Sequence, residues 1–285
     1  MKRLICSVLV LAFVSLSALA DVLSTPLMLD NGEYEIPAIM TSPEGKAVVP
    51  GVILLHGSAS HKNEVGDLYL RLAEQLANNG IASIRIDFAG TGDSPVDYTH
   101  YTLKTAVRDA EVALAFLRSQ PRVDDHRIGV VGFSQGGLIA QLLVAQQPGI
   151  KSFVAWSSVA SDGIGPFADM FETLYMKAKR EGQVEQQFAW RPPLTVSYEW
   201  FEQVMANQSL SGMAEYTGSV LAIAGSNDTV VPPTAATRLI VASGSDVARA
   251  VTIKGADHIF NVLDENANQD EQLLEMTTEW FAEAL

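Results

Sequence analysis

Gly132-Phe133-Ser134-Gln135-Gly136-Gly137 is the stretch that decides how this chain folds. The residues just before it, 127–131, form an apolar run of strand type, and residues 135–145 carry a helical pattern. A serine set between a buried strand and a helix, with glycines two positions away on either side, sits on a sharp turn that holds its hydroxyl outward. The glycines keep side chains out of the turn, so strand and helix can pack closely. The helix start supplies unpaired backbone N–H groups and a positive dipole end. Ser134 is therefore the candidate nucleophile.

A serine hydroxyl is a poor nucleophile at neutral pH and needs a base, which in turn needs an orienting carboxylate. Only one histidine follows Ser134, and that is His258, in Gly255-Ala256-Asp257-His258-Ile259-Phe260. The preferred acid is Asp228, in Gly225-Ser226-Asn227-Asp228, just past the apolar run 220–224. Asp162 competes for that role. Asp257 adjoins His258, but sequence neighbours rarely pair side chain to side chain. Acyl chemistry also needs two preorganised N–H donors for a developing oxyanion. One is assigned to Gln135. The other is assigned to Ser58 in His56-Gly57-Ser58-Ala59-Ser60, with Gly57 and Ala59 as neighbours. His56 is read as structural, tying that loop down.

Working outward, strands are expected at 25–29 and 33–40, joined by the turn Asp30-Asn31-Gly32, then at 51–55, 81–86, 127–131, 153–156, 220–224 and 250–253. Helices are expected at 67–79, 103–117, 135–145, 235–241 and 272–284. Strands alternating with helices give an α/β fold, with a mostly parallel central sheet flanked by helices and an antiparallel hairpin at one edge. Every candidate above then lies at the carboxyl end of a strand, where such sheets place their sites. Residues 158–217 break the alternation. Phe167, Met170, Phe171, Leu174, Tyr175 and Met176 make one apolar helical face, and Trp190, Tyr198, Trp200, Phe201 and Met205 another. So long a structureless loop is improbable, and 158–217 is read as a helical cap inserted after the fourth core strand. The core would then comprise residues 21–157 and 218–285.

The 285 residues are 48% hydrophobic, enough for a full core, and the formal net charge of −14 leaves no basic stripe for nucleic acid. Lys2 and Arg3, an apolar run over 4–16 and Ala18-Leu19-Ala20 have the layout of a secretory signal peptide over residues 1–20. Export to the periplasm or beyond follows from that reading. The apolar run is short for a membrane span, so no stable span is expected after processing. The sole cysteine, Cys6, would leave with the signal, and with it any disulfide or thiolate metal site. His61, His100 and His126 lack metal-ligand spacing, and no metal or organic cofactor is implied. Asp87-Phe88-Ala89-Gly90-Thr91-Gly92-Asp93-Ser94 is glycine-rich but lacks the P-loop lysine and the dinucleotide spacing. It is read as a structural turn.

His56-Gly57, the 87–94 turn, the Ser134 turn, Asp228 and Gly255-Ala256-Asp257-His258 together resemble the α/β-hydrolase superfamily, most of all its bacterial esterases of the feruloyl (cinnamoyl) esterase type. They are also similar to its serine aminopeptidase-like branch. The resemblance implies the α/β-hydrolase fold, with Ser134 as nucleophile, His258 as base and Asp228 orienting it. It also implies that Ser58 and Gln135 form the oxyanion hole. The expected activity is hydrolysis of a small carboxylic ester through an acyl-enzyme. The alternative is a peptidase on the same triad, holding a substrate amine with cap carboxylates among Asp162, Asp169, Glu172, Glu181, Glu185, Glu199 and Glu202. Dehalogenases of the fold carry aspartate where this chain has Ser134.

Overall fold

The two periodicities of the sequence, two in the strands and 3.6 in the helices, sort its apolar side chains onto the two faces of one sheet. The computed structural model describes residues 22–285, so the expected signal segment lies outside the described residues. The chain opens with β1 (Val22–Asp30) and β2 (Glu35–Pro43), an antiparallel hairpin in which Asp30 faces Glu35. Then come β3 (Val49–Leu55), α1 (Leu68–Asn78), β4 (Ala82–Ile86), α2 (Leu103–Ser119), β5 (Val123–Phe133), α3 (Gln135–Gln146) and β6 (Ser152–Trp156). After an inserted segment the core resumes with the strand Ser219–Gly225, the helix Thr234–Ala242, the strand Ala248–Ile253 and the closing helix Gln269–Ala284.

The sequence predicts a helical cap over 158–217, but the inserted segment is not wholly helical. It holds α4 (Ala168–Glu181), α5 (Tyr198–Met205) and the short α6 (Ser209–Gly212), but also an antiparallel pair, β7 (Gln183–Gln186) with β8 (Leu194–Ser197). Gly182 at φ 80° stops α4, and Val184 then pairs with Val196, both buried, across the ladder. Trp190 lies in the loop between these strands and is exposed, away from the apolar face on which its spacing had put it. The segment closes on itself near its base: Gly163 N–H donates to the Asn207 carbonyl (2.9 Å), and the Asn207 amide donates to the Ser161 carbonyl (3.0 Å). The core strands and helices that follow are β9, α7, β10 and α8 in chain order.

The sheet order is β1-β2-β4-β3-β5-β6-β9-β10. The six strands from β4 to β10 run parallel, and the hairpin adds its two antiparallel strands beside β4. All seven residues of β3 are buried, as a central parallel strand requires. Its alternate residues serve different cores. Ile53 and Leu55 join the cluster under α2, α3 and α7, while Val52 and Leu54 join the cluster under α1 and α8. Connections diverge between the neighbours β3 and β5, since β3 leads outward to β4 and β5 leads the other way to β6. That switch point is where such sheets open a crevice at their carboxyl ends.

Candidate active site

Ser134 is the single residue between β5 and α3. Its backbone sits at φ 53°, ψ −117°, a costly conformation for a residue with a Cβ. The neighbourhood holds it there. Its N–H donates to the Trp156 carbonyl (2.9 Å), and its carbonyl accepts from Gly137 N–H (3.1 Å) and Val159 N–H (3.2 Å). A Cβ on Gly132 would lie 2.5 Å from the Gly136 carbonyl oxygen, and one on Gly136 would overlap the carbonyls of Leu55 and His56. These two glycines let α3 lie against β5 and β3, which lifts the serine hydroxyl above the sheet edge.

Two loops from the far half of the sheet meet it. His258, in the loop after β10, places Nε2 3.1 Å from Ser134 Oγ and Nδ1 2.9 Å from Oδ2 of Asp228, in the loop after β9. An Nδ1–H donated to the carboxylate leaves Nε2 free to accept the serine proton. The other oxygen of Asp228 accepts from Val230 N–H (2.9 Å) and Val231 N–H (2.8 Å). Burial by itself would push the Asp228 carboxyl up. The hydrogen bond and charge of His258, with the two backbone donors, outweigh that and hold it below the ordinary carboxylate range. Phe133 backs the imidazole, with ring centroids 5.1 Å apart.

The competing acids lie elsewhere. Asp162 accepts from Leu210 and Ser211 N–H (3.0 and 3.1 Å) at the start of α6. Asp257 accepts from Ile259 and Asn261 N–H (3.0 and 2.8 Å) and braces its own loop.

On the donor side, the N–H of Gln135 is the first of α3, one of the groups that no helical turn can satisfy. The loop after β3 is narrowed by a residue that the sequence reading missed. Glu64, buried and itself at φ 62°, accepts from Gly57 N–H (2.7 Å), Ser60 Oγ–H (2.5 Å) and Val65 N–H (2.9 Å). Gly57 is thereby engaged, and Ser58 and Ala59 are left as the donors this loop can offer. His56 is buried; Nδ1 lies 2.8 Å from the Gly57 carbonyl, and Nε2 accepts from Phe88 N–H (3.1 Å). Burial pushes its imidazole below the ordinary histidine value, so it stays neutral and ties the loop after β3 to the loop after β4. Lys62 reinforces the tie: its N–H and Nζ both donate to the Asp87 carboxylate (2.6 Å each), which also accepts from Asp93 N–H (2.9 Å). The glycine-rich 87–94 turn is thus built around Asp87. From the β7–β8 loop, Arg191 reaches down and donates through Nη1 to the Ala59 carbonyl.

A family model described as the alpha/beta hydrolase family matches residues 52–270. Among solved structures, Est1E from Butyrivibrio proteoclasticus with ferulic acid bound superposes with a TM-score of 0.72 at 21% identity, covering 90% of this chain and 98% of that one. An uncharacterized protein of Mycobacterium tuberculosis is 26% identical over 209 residues, 73% of this chain and 63% of its own length. Mouse acyl-coenzyme A thioesterase 6 is 24% identical over 69% of this chain and 44% of its own length. This chain therefore spans less than two thirds of either curated relative.

Proposed function

This chain belongs to the alpha/beta hydrolase family, and on that premise we propose that it is a serine hydrolase cleaving small carboxylic esters. One observation carries the reading: an unbroken hydrogen-bonded series from Ser134 Oγ through both nitrogens of His258 to Asp228. In the proposed cycle Ser134 Oγ attacks the ester carbonyl carbon while His258 Nε2 takes the hydroxyl proton. The negative charge that gathers on the carbonyl oxygen meets the N–H groups of Gln135 and Ser58. Collapse breaks the bond to the leaving oxygen, and His258 returns the proton to it, releasing an alcohol and leaving acylated Ser134. Water, deprotonated by His258, attacks the acyl carbon, frees the acid and restores the serine hydroxyl. Asp228 stays ionised throughout, which its depressed carboxyl pKa favours, and so stabilises the imidazolium formed in both halves.

Ser134→Ala should lower turnover of 4-nitrophenyl acyl esters by on the order of 10⁴ or more, with the fold intact by circular dichroism. Turnover unchanged by this substitution would sink the proposal. Aminoacyl anilides cleaved faster than the esters would move the reading to a peptidase.

A further inference from the structure

Arg191 is a cation without a counter-ion at the rim of the candidate site. Of the cations near these loops, Lys62 is matched by Asp87 and Asp93, and Arg85 is turned into the core, where it donates to Asn63 and Thr41. Arg191 makes no ion pair among the described residues. One Nη1 hydrogen holds the Ala59 carbonyl, next to Ser58, and its Nε is buried with no acceptor. A buried donor left without a partner is uncommon and calls for an acceptor. The guanidinium carbon lies 6.0 Å from the Phe188 ring centroid and 5.8 Å from that of Trp190. The two aromatic rings hold the guanidinium plane at the rim, and Trp190 remains 65% exposed.

A fixed guanidinium with donors left over from the Ala59 carbonyl suits the planar, bidentate oxygens of an anion. In a chain of net charge −14 the general field repels anions, so a preference for them needs a local cation such as this one. We propose that Arg191 is a specificity residue that binds an anionic oxygen group, carboxylate or phosphate, carried by the substrate on the side of the ester facing the β7–β8 loop. The inference rests on the ester-hydrolase reading, and its test separates the two.

Hydrolysis of the 4-nitrophenyl hemiester of glutaric acid is compared with that of neutral 4-nitrophenyl butyrate, in wild type and in Arg191→Gln. The expected result is that the ratio of kcat/KM for the anionic over the neutral ester falls by roughly tenfold or more in Arg191→Gln, and that Arg191→Lys restores part of it. Equal losses on both esters would make Arg191 only a latch on the Ala59 loop and would overturn the proposal. If neither ester is cleaved, the ester reading fails, and binding alone judges Arg191. Glutarate or inorganic phosphate should raise the Tm of wild type but not that of Arg191→Gln, with the responding anion identifying the group. Equal shifts, or none, in both proteins would overturn the proposal on that arm.

Discussion

That Ser134, His258 and Asp228 come together was legible in the chain because the proposed chemistry would demand those side-chain types at strand ends, and each stands just past an apolar run. Glu64 could not. Its partners are the N–H groups of Gly57 and Val65 and the hydroxyl of Ser60, and backbone partners leave no trace in residue identity. Arg191 was hidden for the same reason, since its partner is a carbonyl 132 positions away. Glu64→Ala would leave three donors facing a dry space. Its expected cost is about 2–4 kcal/mol of stability, read from urea denaturation, together with a loss of kcat as the Ser58 donor loosens. A stability change within ±0.5 kcal/mol, the ordinary range for surface substitutions, would show that Glu64 does not hold the loop. Ser134 itself illustrates how strain is kept: its positive φ persists because the Trp156 carbonyl and the Gly137 and Val159 amides fix the peptides on either side.

Among the elements, the core strands and their helices followed from period and punctuation, down to the antiparallel hairpin at one edge. The inserted segment was harder. The strands β7 and β8 are four residues each, too short for period two to stand out from helical spacing. The ladder itself reveals them, with Val184 against Val196 as its buried pair. The helices α4 and α5 are bound by aromatics instead. Phe171 meets Phe201 at 5.1 Å and edge-on at 75°, and Trp200 meets Phe167 at 5.3 Å and 84°, geometries that favour ring edges over faces. Phe201 has no exposed surface and belongs to the same apolar cluster as Leu103 and Val107 of α2 and Leu138 of α3. Phe201→Ala should therefore cost about 3–5 kcal/mol and lower the midpoint of one common unfolding transition. Separate melting of the inserted segment, with the core unaffected, would contradict this continuity.

At the scale of the whole molecule, Asp109 couples parts that are distant in the chain. From α2 its carboxylate accepts from Asn31 (2.7 Å) and Tyr34 (2.9 Å) of the β1–β2 hairpin. Burial pushes its carboxyl up from 3.8 to about 6, against the pull of these donors and of Arg108 and Ala89. Between those pH values the folded chain holds a proton that the unfolded chain has lost, so this group's contribution to stability falls as pH rises through the window. The full penalty, on the order of 3 kcal/mol, is reached above about pH 6. Asp109→Asn should remove that slope. The stability of the variant relative to wild type should climb between pH 4 and 6 and then level off, as followed by chemical denaturation at several pH values. A difference that does not vary with pH would rule this out.

The inserted segment does two jobs of different kinds. β6 and β9 are parallel neighbours, with Ser152 beside Ser219 and Trp156 beside Ile223. The chain therefore leaves β6 at the edge that carries Ser134 and must re-enter at the opposite edge, about 16 Å away at the usual rise per strand residue. Residues 208–218, with α6 against α3, make that return. Residues 164–206 do not take part in it, because the bonds of Asn207 with Gly163 N–H and with the Ser161 carbonyl bring their two ends side by side. They form a loop on a closed stem, whose length does not alter how the sheet is threaded, although Phe201 ties its packing to α2 and α3. The length beyond the stem must be kept, since it is part of the scaffold. A change of length within 164–206 would leave the strand ends that carry Ser134, Asp228 and His258 where they are, and would act on the edge they share through contacts such as that of Arg191 with the Ala59 carbonyl.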